Sequence, residues 1–88
     1  MTDINAVKDA ARCLEYVCVN LKATGREAES AALTTACGIQ IFTVGELRAA
    51  LAVCLCRDED KSLKFEVLSR LSDHRAATRV FQPFKEKL

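Results

Sequence analysis

Eighty-eight residues with thirteen Lys/Arg against twelve Asp/Glu, half of the side chains apolar, describe one small domain with no overall charge excess to draw it to nucleic acid or membrane. A chain of this length buries only about 60–65% of the surface its unfolded form exposes, so its stability is modest. Three glycines, one proline, four Phe, one Tyr and no Trp are too few turn and strand formers for a sandwich or barrel, and the abundance of Ala and Leu favours an all-α fold.

The first predicted element is a helix over residues 3–23. Ile4, Val7, Ala11, Leu14, Cys18 and Leu21 recur at alternating spacings of three and four, which makes one stripe on a helix, widened by Ala10 and Val17. Thr2 or Asp3 is placed to cap its start. Tyr16 falls nearly opposite that stripe, beside Asp9, Cys13 and Asn20. It is a candidate contact residue because Tyr is enriched among binding hot spots; inert surface is the other reading.

Thr24-Gly25-Arg26-Glu27 has the spacing of a capping box, which predicts a second helix over 25–37. Its inward side chains, Ala28, Ala31, Ala32, Leu33 and Ala36, are mostly small, and Gly38 is placed to end it. Residues 38–42 read as a short extended link. Thr43-Val44-Gly45-Glu46 is a second capping box, flanked by Phe42 and Leu47 at the spacing of a hydrophobic staple, and it predicts a third helix over 44–56. Arg57-Asp58-Glu59-Asp60 reads as a charged, solvated loop. A fourth helix follows over 61–72 with Leu63, Val67, Leu68 and Leu71 inward, and a short fifth over 74–81 with Ala76, Ala77, Val80 and Phe81 on one side. Pro83 disfavours helical geometry at Gln82, leaving 83–88 as a flexible tail. The predicted architecture is a compact bundle of four to five short helices with helix 44–56 at its centre. The competing form is a helical domain whose end, 74–88, turns into a strand or wing.

The third helix is the unusual one, because every residue from Ala49 to Cys56 is apolar. Val44, Leu47, Leu51, Cys54 and Leu55 make a core face, yet Ala49, Ala52, Val53 and Cys56 cover the other side. A helix apolar all round is normally buried all round, which makes it central. The second reading is a face that meets a protein partner or another copy of the chain, since exposed apolar patches mark interaction sites.

Charge is unevenly placed. Residues 1–60 hold six Lys/Arg against nine Asp/Glu, and residues 61–88 hold seven against three. Arg75 and Arg79, one turn apart on the predicted fifth helix, with Lys85 and Lys87 behind them, form a candidate basic binding surface for phosphates or for an acidic protein. Residues 43–72 also have the form of a helix-turn-helix unit. Against DNA reading stand the outward Glu66 and Asp73 of the fourth helix and the acidic turn where phosphates would approach.

The five cysteines, Cys13, Cys18, Cys37, Cys54 and Cys56, are odd in number, and the chain opens Met1-Thr2-Asp3 with no basic and apolar leader. Reduced thiols in a cytoplasmic protein are expected. The longest strongly apolar run has eight residues where a bilayer span needs about 20, so no membrane association is expected. The cysteine spacings do not match a zinc site, His74 is the only histidine, and no phosphate-cradling glycine loop occurs. The expectation is therefore no enzyme, no metal or cofactor and no small-molecule substrate. The chain reads as a small protein-interaction module, such as an inhibitor, adaptor or regulatory subunit. The alternative is a DNA-binding transcriptional regulator.

Overall fold

The computed structural model describes residues 3–83. They form four α-helices, α1 (Ile4–Ala23), α2 (Glu27–Ala36), α3 (Val44–Cys54) and α4 (Lys61–Leu71), with a 3₁₀ turn at Asp58–Asp60 leading into α4. The all-α bundle expected from composition is what forms. Helix α1 packs against α2, α3 and α4.

The buried line of α1 is Ala6, Ala10, Cys13, Val17 and Leu21. This lies to one side of the stripe read from the sequence: Ile4 and Ala11 are exposed, and Leu14 and Cys18 are only half-buried. Cys13, expected on the polar face, is buried with its thiol directed at the Val67 carbonyl of α4. Small side chains along this line let the neighbouring helices approach α1 closely, which a line of leucines would prevent.

The ends of α1 explain why the first expected capping box does not form. Asp3 caps the start, its carboxylate accepting from the Ala6 amide at 3.1 Å. At the other end Gly25 adopts φ +78°, Arg26 N–H donates to Leu21 O and Gly25 N–H donates to Lys22 O, which is a Schellman closure. The Thr24 hydroxyl donates back to Asn20 and Leu21 carbonyls. Thr24 is thus engaged in ending α1, and α2 starts two residues later than expected with no side-chain cap. Gly38, at φ +90°, ends α2 as expected. The link that follows is not extended. The amides of Ile39, Gln40 and Ile41 all converge on the Ala36 carbonyl in a tight turn.

The second capping box forms as read. Glu46 N–H donates to Thr43 Oγ1 at 3.2 Å, and Glu46 Oε1 accepts from the Thr43 and Phe42 amides. Val44, Leu47, Leu51 and Leu55 are buried. The all-round burial expected of a central helix does not extend to the rest of α3, because Ala49 and Val53, and Cys56 just beyond the helix end, are exposed and Ala52 is half-buried.

Residues 74–81 do not form the expected fifth helix. They return in turns and extended backbone to the N-terminus of α3, nearer to the strand-or-wing form. The reason lies in the orphan amides of that helix start. Val44 N–H donates to Thr78 O at 2.9 Å and Gly45 N–H to Ala76 O at 2.8 Å, while Val80 and Phe81 donate to Phe42 O. A helical 74–81 would need those carbonyls for itself. Gly45 permits the close approach: a Cβ there would lie 3.1 Å from Ala76 O and 3.2 Å from Ala76 Cβ. Gly45→Ala is expected to be nearly neutral, since better helix propensity offsets the crowding. Gly45→Val is expected to push the return segment away and cost about 1–3 kcal/mol. Urea unfolding, together with faster hydrogen exchange at the Val44 amide, checks this.

Candidate interaction surface

Among the described residues, the largest apolar side chain standing in solvent is Phe65, 76% exposed on α4, and Val53 on α3 is 74% exposed. Phe65 projects because Val67 and Leu71 define the inward side of α4, and a residue two before Val67 falls on the far side of the helix. Between α3 and α4, beside Phe65, runs an open groove of about 390 Å³. Arg48 of α3 and Lys61, Lys64, Phe65 and Leu68 of α4 line it together with two serines, and no carboxylate is among the lining residues. Arg48 Nε is buried and has no hydrogen-bond partner among the described residues. Lys61 Nζ lies 3.7 Å from Asp58 Oδ1, a loose and fully solvated pair.

Of the residues expected at a partner or dimer interface, Ala49, Ala52, Val53 and Cys56 lie on the outer side of α3 or just past its end, as noted above. Tyr16 stands apart from them. It sits at the α1–α4 seam, half-exposed, with its hydroxyl 3.4 Å from Glu66 Oε1, in a hollow shared with Arg12 and Arg70. The sequence places Tyr16 on an otherwise polar face and gives no sign that α4 borders it.

Arg75 and Arg79 do not stand one turn apart on a helix, because their segment is not helical. Both are exposed and line a hollow with Asp3 and Val7 of the α1 start. Arg79 lies over the Phe42 ring, 5.5 Å from its centroid, so one face of that aromatic is occupied by a cation. Lys85 and Lys87, the remainder of the expected basic surface, lie outside the described residues.

Two polar clusters were not foreseen. Arg26 and Asp60 make a bidentate ion pair at 2.8 and 2.9 Å, with side chains only 5% and 6% exposed. Asp60 is therefore not part of a solvated loop. The Arg26 guanidinium holds its carboxyl below the usual aspartate range. The second cluster joins α1 to the end of α4: His74 Nε2 lies 2.8 Å from Asp9 Oδ2, and Arg70 reaches Asp9 Oδ1 at 3.5 Å. The hydrogen bond from His74, then the Arg70 charge, hold the Asp9 carboxyl low against the opposing effect of burial. Both clusters tie elements together, and neither lines the α3–α4 groove.

All five thiols are free. Burial pushes the Cys13 and Cys54 thiols up, and burial with the nearby Cys18 raises Cys37 to about 11, so these three stay protonated at neutral pH. Among the described residues no three His, Cys, Asp or Glu side chains gather as a metal site, and no helix is long and apolar enough to cross a membrane. Comparison of the chain with protein-family profiles, curated proteins and solved structures found no match.

Proposed function

We propose that the chain is a non-enzymatic binding module whose working surface is the outer side of the α3–α4 pair. The carrying observation is the exposure of Phe65 and Val53 on these two adjacent helices. Burying one such side chain is worth about 1.5–3 kcal/mol, a large sum for a domain with so small a core. Apolar patches left in water are characteristic of surfaces that another macromolecule covers. Tyr16 at the other edge of α4 extends the same reading to the α1–α4 seam.

The DNA-binding alternative gains three cations from the groove, Arg48, Lys61 and Lys64. The exposed phenyl ring among its lining residues is poorly matched to a phosphate backbone, and the acidic turn before Lys61 repels one.

A photo-crosslinking side chain placed at position 65 tests the proposal in the native host, with exposed position 8 on α1 as control. The expected product is a protein captured at 65 and not at 8. Purified, that protein should bind the chain at least about tenfold more weakly when Phe65→Ser is introduced, as for a hot-spot residue. Equal capture at both positions, or capture of nucleic acid at 65, overturns it.

A further inference from the structure

Resting on the binding-module reading, the lining of the α3–α4 groove narrows the partner's chemistry. Phe65 and the half-buried Leu68 are its apolar lining residues, and Arg48, Lys61 and Lys64 line it with positive charge. Neither Arg48 nor Lys64 has an ion-pair partner among the described residues, and the Lys61 contact to Asp58 is long and solvated. The buried Arg48 Nε also lacks an acceptor among the described residues.

We infer that this groove receives an acidic amphipathic helix from a partner protein. Two neighbouring helices leave a channel between them into which a third helix fits ridge into groove. The occupant carries apolar residues three and four apart against Phe65 and Leu68, with Asp or Glu beside them to meet Arg48, Lys61 and Lys64. An uncharged apolar helix leaves the three cations unmatched. A nucleic acid matches the cations but offers its backbone no use for the phenyl ring, and its continuous phosphates must pass the exposed Asp58 and Glu59 at the Lys61 end. Discrete carboxylates on a helix can be positioned clear of that turn.

The experiment is a displayed library of helix-forming peptides selected against the full chain, with duplex DNA titrated in parallel by fluorescence anisotropy. The expected winners place Leu, Ile or Phe at helical spacing with Asp or Glu flanking them. Their affinity should fall with added salt. It should weaken at least about tenfold in Phe65→Ser, whose exposure keeps the fold intact, and also in Lys64→Glu. Selection of apolar peptides without acidic flanks that still need Phe65 overturns this inference and leaves the binding-module reading standing. Peptides indifferent to Phe65, or no enrichment at all, also overturn it, and the crosslinking at position 65 then judges the broader reading separately. Duplex DNA binding lost in Lys64→Glu replaces it with a nucleic-acid surface. Self-association of the free chain lost in Phe65→Ser replaces it with a dimer interface.

Discussion

Replacing Arg26 by Met is expected to lower the thermal midpoint by more than about 10 °C, although Arg26 belongs to the short link between two helices. The guanidinium makes two hydrogen bonds to Asp60 and a third, from Nε, to Thr24 Oγ1 at 3.0 Å. It thereby joins the α1–α2 link to the 3₁₀ turn that leads into α4, the partners standing 34 positions apart in the chain. Removing the cation leaves the Asp60 carboxylate in a site from which water is largely excluded. That uncompensated charge, rather than the loss of one contact, makes the effect large. The double variant Arg26→Met, Asp60→Leu should recover most of the loss, because the pair itself contributes little beyond repaying its own desolvation. The pH dependence has a definite sign. In the wild type the Asp60 carboxyl lies below its ordinary 3.8, so the unfolded chain takes up the proton first and stability falls as pH drops through and below about 4. Asp9 and Glu46 are also held low, by His74 and by the Phe42 and Thr43 amides respectively, and act in the same direction. In Arg26→Met, protonation relieves the stranded carboxylate, so the gap between variant and wild type narrows toward pH 3. Urea unfolding of both proteins across this range measures it. A gap that stays constant with pH means that Asp60 is not the source of the loss.

What the sequence discloses here is governed by distance along the chain. The Thr43/Glu46 capping box is local, its groups are three residues apart, and it forms as read. Thr24 and Glu27 have the same spacing, yet the Thr24 hydroxyl turns back to α1, because Gly25 takes a left-handed turn that closes that helix first. Pattern alone does not rank these two local uses of one threonine. Helix α1 was legible as a helix from its periodicity, but its buried line depends on which three helices surround it. The small Ala6, Ala10 and Cys13 face the core where larger neighbours look more apolar. The segment 74–81 has an adequate helical pattern and is overruled by the amides of Val44 and Gly45, more than thirty residues earlier. The Arg26–Asp60 pair leaves no trace in sequence beyond two common charges. Of the candidate surface, the outer side of α3 was legible because an all-apolar run asks where its second face goes. Phe65 was missed although it breaks the polar pattern of the outward side of α4, and that break was the available signal.

The second large effect separates the two faces of α3. Leu51 is fully buried among Val44, Leu47 and Leu55 on its own helix and the core line of α1. Leu51→Ala is expected to cost about 2–5 kcal/mol, the transfer loss plus a cavity that surrounding helices cannot fully close. For a domain of this size that is a large part of the total stability, and the midpoint of urea unfolding should fall steeply. Val53, two residues on, points the other way, and Val53→Asp is expected to change stability by less than about 0.5 kcal/mol. The pair of measurements bears directly on the candidate surface. A helix central to the bundle would lose stability at both positions, and the binding reading would then lose the outer side of α3. A collapse at Leu51 with tolerance at Val53 means that the apolar character of the outer face does nothing for the folded chain alone. Its purpose must then be sought in what covers it. Val53→Asp also places a charge on the exposed apolar side of α3, so it should weaken a partner seated across both helices without disturbing the fold. That separation of binding from stability is one a core position cannot give.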